Sequence, residues 1–460
     1  MKKVERRAIL CVLFGLILLG GLCYFIYEDW HDGGEWAVYK GNRDVYAEGS
    51  LAKGALYDTY GNLLMRNTSD GMVYNDDSDV RSACMHITGD KDNNISTGAN
   101  RVFLDRIIGF DFINGIYSLN NDGEDVSLTL RSDICATAYR ALSGRKGTVG
   151  VYNYKTGEIV CMVSSPTFDP ADPPSSIPDG AYINRFISST FAPGSTFKLV
   201  TAAASIETQD DAYSYSFDCE GSIDYGHGDE VTDLSVHGEV DLKKALEVSC
   251  NCYFAKLSEK VGAETLEEYV GKAGLDKSYD IDGIETKAGT FDYPESGVNL
   301  AWTGIGQYHD MVNPCSMMVY MGAIANGGTA VMPSIVKPSN IVSEKIDEAT
   351  TALKTKDMID EETAASLTDM MRNNVENHYG GENAFPGLEL CAKSGTAEVE
   401  GQDRPNAWFV GFLNDDNNPY AFVVLVENSG YDFRKKLKGM GVPSKIQMRG
   451  LGQAQLIIGE

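Results

Sequence analysis

"FAPGSTFKLVTAAASIE", Phe191 to Glu207, is the stretch on which the fold turns. Pro193-Gly194 closes a Pro-rich loop, and the apolar positions that follow return at helical spacing, so a helix is expected to open here. Ser195 and Lys198 stand three residues apart and share one face of that helix. A serine hydroxyl is a poor nucleophile until a base takes its proton, and a nearby lysine supplies one. With Ser195 in the first helical turn, free backbone N–H groups and the positive end of the helix dipole favour a developing negative charge. Lys198, desolvated in a closed site, is the expected base.

A Ser-x-x-Lys spacing by itself carries little, because Ser50 with Lys53 and Ser143 with Lys146 repeat it without opening an apolar helix. Two later elements change its weight. Ser249-Cys250-Asn251 falls in the turn after the helical "DLKKALEV", and Lys393-Ser394-Gly395-Thr396 runs into the alternating "AEVE". Two strand-like runs follow, "AWFVGFL" and "YAFVVLVE", the second almost continuously apolar and so expected inside a sheet. Lys155-Thr156-Gly157 competes with Lys393-Ser394-Gly395. It joins two alternating runs in "GTVGVYNYKTGEIVCMVSS", however, and reads as a β-hairpin turn in which Gly157 supplies the positive φ. Ser118-Leu119-Asn120 is a second decoy, lying before the nucleophile. Singly, each motif is explained by a helix cap or a loop. Together, only one set stands in the order helix, turn, strand.

That ordered set resembles the transpeptidase domain of bacterial penicillin-binding proteins, with "HGEVDLKKALEVSCNCYF", "WTGIGQ", "AKSGTAE" and "AWFVGF" around it, over roughly residues 147–430. Upstream, "KGALYDTYGNLLM" is similar to a membrane-proximal segment of the class B branch, with Lys53 in place of the usual Arg. The polar stretch 28–146 leaves no room for the glycosyltransferase domain of class A. The resemblance implies an α+β fold: an antiparallel sheet of about five strands with helices on both faces, preceded by a membrane helix and a small strand-rich pedestal. It also implies a peptidoglycan D,D-transpeptidase inhibited by β-lactams. Ser195 would attack the penultimate D-Ala carbonyl of a stem peptide, Lys198 would take the hydroxyl proton, and Ser249 and Lys393 would pass it to the leaving amine. Asn251 would hold the substrate amide. The N–H groups of Ser195 and Thr396 would form the oxyanion hole, with Gly395 permitting close approach. Ser394 and Thr396 hydroxyls would bind the terminal carboxylate. A β-lactamase or D,D-carboxypeptidase, or a membrane-anchored β-lactam sensor or scaffold without turnover, are the alternatives. Family analogy adds a SEDS-type glycan polymerase as partner.

The rest of the chain bounds this reading. Of its 460 residues, 43% are hydrophobic, and its formal net charge of −27 would repel a phosphate backbone, which argues against nucleic acid. Ala8 to Tyr27 is uncharged and long enough to span a bilayer. Lys2, Lys3, Arg6 and Arg7 precede it, so residues 1–7 are expected in the cytoplasm and everything after residue 27 outside. Ten cysteines without module-like spacing read mostly as small buried apolar residues, Cys250 and Cys252 included. No metal or cofactor is expected: the calcium-loop-like start at Asp90 has Ile95 and Arg101 where Gly and Glu belong, and the histidines lack ligand spacing. The tail 431–460 holds six Lys or Arg against Asp432 and Glu460. It reads either as a basic arm or as the product of an altered frame near Ser429.

Overall fold

In the computed structural model the described residues are 2–37, 54–68, 71–108, 110–111, 116–117, 123–337, 354–399, 401–402, 404–429, 446–447 and 455–456. Five antiparallel strands form the central sheet: β1 (Gly147–Asn153), β2 (Ile159–Ser165), β3 (Leu390–Ala397), β4 (Asn406–Leu413) and β5 (Tyr420–Val426), in the order β3-β4-β5-β1-β2. The continuously apolar β5 lies between β4 and β1, as its sequence requires. At the β1–β2 turn Gly157 has φ +85°, and Lys155 Nζ donates to Asn326 Oδ1 at 3.0 Å on the surface.

Helices cover both faces. Gly150 and Tyr152 point one way: Phe186 fills the space a Gly150 side chain would occupy, and the Tyr152 hydroxyl reaches the Val319 carbonyl at 3.4 Å. Cys161, paired with Val151, points the other way, towards Cys135. That second face is covered by the helix Ser132–Leu142, which packs on β2. Lys198–Thr208 and Pro314–Ala325 are buried almost all round, as expected of helices that are apolar on every side.

Upstream, Gly71–Tyr74, Leu63–Thr68, Ala55–Tyr57 and Val126–Ser127 form a four-stranded sheet in that order. Asp58, in the class-B-like segment, is buried and receives Tyr60 N–H at 2.9 Å, Asn62 N–H at 2.8 Å and the Ser132 hydroxyl at 2.6 Å. Burial opposes its charge, but these hydrogen bonds outweigh that and hold its carboxyl below the usual range. The first helix, Lys2–Ala37, contains an apolar window Cys11–Glu28 of mean hydropathy 2.0. Among the described residues it is the one helix long and apolar enough to cross a membrane.

One expectation needs correction. Ser195 lies in a 3-10 turn, Gly194–Thr196, and the α-helix proper begins at Lys198. Gly194, at φ +52° with its N–H bonded to the Gly306 carbonyl, imposes that tighter turn. In the upstream region, "NTSDGMVYNDDSD" is partly strand and leads into the helix Ser78–Thr88 capped by Asp77. Within "DVSLTL", Val126–Ser127 is the strand. The tail 431–460 lies outside the described residues, apart from Ile446–Gln447 pairing with Gln455–Leu456.

Candidate active site

Three segments converge at the free edge of β3. The Ser195 turn is held there by close backbone packing. A Cβ on Gly194 would lie 2.4 Å from the Thr396 carbonyl, and one on Gly395 would lie 2.8 Å from the Pro193 carbonyl and 2.9 Å from Thr196 Cγ2. Trp408 on β4 donates its Nε1–H to the Ala192 carbonyl at 2.8 Å and fixes the approach to the turn. Ser195 is partly exposed, whereas Lys198 is fully buried, with Nζ 5.5 Å from the centre of the Phe254 ring.

Ser249 caps the helix Leu242–Val248 in the left-handed conformation, φ +58°, a costly backbone for a residue with a side chain. That conformation turns both its oxygens towards lysines. Lys198 Nζ donates to the Ser249 carbonyl at 2.7 Å and reaches Ser249 Oγ at 3.3 Å and Asn251 Oδ1 at 2.7 Å. Lys393 Nζ, also fully buried, donates to Ser249 Oγ at 3.0 Å and to the Ser394 carbonyl at 2.8 Å. A continuous hydrogen-bonded line therefore runs Lys198–Ser249–Lys393. With both acceptor positions of Ser249 Oγ facing lysines, its own proton is free to point into the site.

Asn251 opens the next helix, Asn251–Val261. Its Nδ2 donates to the Thr232 carbonyl at 2.9 Å, and its N–H donates to Asp233 Oδ2 at 2.7 Å. Along β3, the Ser394 and Thr396 carbonyls face the open edge, where they accept from Lys393 and from Gln307 Nε2 at 3.2 Å. By strand alternation the Thr396 N–H shares that edge. Ser394 is buried, and its hydroxyl meets Tyr379 Oη at 3.0 Å, while Thr396, two residues on and so on the same face of the strand, is exposed.

Sequence reasoning missed the supporting residues. Gln307 clamps the strand end, also accepting Glu398 N–H at 3.2 Å. Its place in "WTGIGQ" was the available signal. Tyr379 and Asp233 had none. Cys250 and Cys252 are buried as expected, and burial pushes the Cys252 thiol up to about 12.

An antiparallel five-stranded sheet with this lysine–serine–lysine line at its edge defines a penicillin-binding transpeptidase architecture. Residues 147–440 match the family described as "Penicillin binding protein transpeptidase domain", and the chain belongs to that family, in its class B branch. Peptidoglycan D,D-transpeptidase PbpA of Mycobacterium tuberculosis is 30% identical over 312 residues, 62% of each chain. Stage V sporulation protein D of Bacillus subtilis is 31% identical over 335 residues, covering 68% of this chain and 51% of that protein. This chain thus spans only part of those relatives' lengths. Penicillin-binding protein A of M. tuberculosis in its ceftriaxone acyl-enzyme complex superposes with TM-score 0.70 at 25% identity, covering 84% of this chain and 94% of that one. The D,D-transpeptidase domain of an Eggerthella lenta peptidoglycan glycosyltransferase gives 0.69 at 26%, covering 83% and 94%.

Proposed function

We propose that this chain is a serine-type D,D-transpeptidase that cross-links peptidoglycan stem peptides and is inhibited by β-lactams. The observation that carries the reading is the unbroken Lys198–Ser249–Lys393 hydrogen-bonded line beside the Ser195 turn. Ser195 Oγ attacks the penultimate D-Ala carbonyl while Lys198 takes its proton. The Oγ–C bond forms and the C–N bond to the terminal D-Ala breaks. Ser249, backed by Lys393, gives its proton to the departing amine and is reprotonated along the line of lysines. The N–H groups of Ser195 and Thr396 stabilise the oxyanion, for which Gly395 keeps the strand close. Asn251 orients the substrate amide. The hydroxyls of Thr396 and Ser394, in the positive field of Lys393, receive the terminal carboxylate, with Tyr379 holding the Ser394 hydroxyl in place. An amine of a second stem peptide resolves the ester.

On this reading 8–27 is the anchor, 28–146 a pedestal and 147–430 the transpeptidase domain, with the N-terminus cytoplasmic and the catalytic part outside. A glycan polymerase of the SEDS type would supply strands to the anchored chain. Incubating the full chain in detergent with a stem-peptide donor, with and without a D-amino acid acceptor, separates the alternatives. Exchange of the terminal D-Ala for the acceptor supports transpeptidation. Hydrolysis alone identifies a carboxypeptidase, and penicillin acylation without either product identifies a sensor or scaffold.

A further inference from the structure

Beside the Ser249–Asn251 turn, Cys219, Asp233, His237 and Cys250 each bring one donor atom to a common point, all four within 4.8 Å of one another. They come from separate places in the chain. Cys219 ends the strand Ser216–Cys219, which pairs with Gly238–Asp241 and so lies opposite Gly238, next to His237. Asp233 follows the strand Asp229–Thr232, and Cys250 sits between two helices.

Three edges of this group are measured. His237 Nδ1 lies 3.7 Å from Cys219 Sγ, Cys219 Sγ lies 3.8 Å from Asp233 Oδ2, and His237 Nδ1 lies 3.4 Å from that same oxygen. Zinc bonds of about 2.0–2.3 Å in tetrahedral geometry separate their donors by about 3.3–3.8 Å. The three edges, one face of a tetrahedron that Cys250 would complete, therefore have the lengths expected around such an ion. Both cysteines are fully buried, and the Asp233 side chain is 2% exposed.

The surroundings orient the donors. His237 Nε2 meets Ser235 Oγ at 3.1 Å, which leaves Nδ1 turned to the group. Asp233 Oδ1 accepts Leu234 N–H at 2.7 Å. Tyr253 N–H donates to Cys250 Sγ at 3.3 Å. A Cys219–Cys250 disulfide would account for two of these residues but not for the imidazole and carboxylate aimed at the same point.

We propose that Cys219, Asp233, His237 and Cys250 bind one zinc ion. Binding converts the two thiols to thiolates and releases their protons to solvent, with no change of oxidation state. The ion would tie the strands around Cys219 and Asp233 to the turn that carries Ser249 and Asn251. Asp233 then acts twice, as ligand and as acceptor of the Asn251 N–H, which makes it a positioning residue for Asn251.

The test is metal analysis of the full chain, purified in detergent with a thiol reductant and no chelator. About one zinc per chain is expected. His237→Ala and Cys250→Ser should each lower the content at least tenfold, while His227→Ala, on an exposed turn, should not change it. Cobalt exchange into the unaltered chain guards against variants that fail to fold, and should produce thiolate-to-cobalt charge transfer with the visible bands of a tetrahedral site. Zinc-free protein that acquires no cobalt bands would overturn the proposal. So would an intact mass lighter by the two hydrogens of a Cys219–Cys250 disulfide in chain purified without reductant.

Discussion

Ser249 has a backbone that costs the fold, and the proposed proton relay gives it a reason to be there. Its left-handed backbone stores about 1 kcal/mol or more that a glycine would not. Ser249→Gly is therefore expected to keep or raise the unfolding temperature while lowering penicillin acylation at least a hundredfold. A destabilised variant with normal acylation would contradict the proton-relay role. Asp310 presents a different cost. It is fully buried, and neither carboxyl oxygen has a hydrogen-bond partner among the described residues. Desolvation first, and then the charge of Asp292, raise its pKa well above 3.8. A raised acid favours folding fully below its unfolded value and loses that contribution as pH rises through the folded one. Asp310→Asn should remove this loss with rising pH and stabilise the chain at neutral pH by about 1 kcal/mol or more. Denaturant titrations of both proteins across pH measure the difference.

At the scale of elements, the site depends on how closely β3 lies against the Ser195 turn. Gly395→Ala would place a methyl 2.8 Å from the Pro193 carbonyl, where backbone meets backbone and neither can swing aside. Acylation should slow about tenfold or more, roughly 1.4 kcal/mol in the barrier, with the far end of the sheet unaffected. Lys155→Ala, in the hairpin turn, should leave the labelling rate unchanged, because its partner is the surface residue Asn326. The difference between these two glycine-containing motifs was legible in the sequence. Alternation on both sides of Lys155-Thr156-Gly157 is a local pattern, and so is the apolar run that puts β5 inside the sheet. Ser195, Lys198, Ser249, Asn251 and Lys393 were likewise legible, since their order survives in one dimension. Tyr379 and Asp233 were not: each acts by touching a segment remote in sequence, and nothing near them marks the contact, whereas Gln307 was signalled by its place in "WTGIGQ". The 3-10 turn at Ser195 was hidden for a related reason, because the Gly306 carbonyl that anchors Gly194 comes from far along the chain. The grouping of Cys219 with Cys250 was missed because ligand spacing was sought along the sequence, whereas strand pairing supplies it.

For the whole molecule, the upstream region and the sheet domain share buried polar contacts that make their union sensitive to acid. His86, on the helix Ser78–Thr88, is fully buried and its Nε2 meets the Ala181 carbonyl at 2.9 Å. Burial pushes its pKa down from 6.5 to about 4. A depressed base adds stability that is whole above the unfolded value and is lost as pH falls towards the folded one, at about 1.4 kcal/mol per pH unit. Stability should thus decline between about pH 6.5 and 4, and His86→Gln should flatten that limb. An unchanged slope would assign the acid response to other groups. The central claim, that Ser195 is the acylated nucleophile of this fold, meets its most direct test in the site of covalent attachment. The full chain is treated with penicillin, digested and mapped by mass spectrometry, alongside Ser195→Ala shown by circular dichroism to be folded. The adduct is predicted on the peptide containing Ser195 and absent from the variant. An adduct on any other residue, or one that persists in the folded Ser195→Ala protein, would contradict the claim.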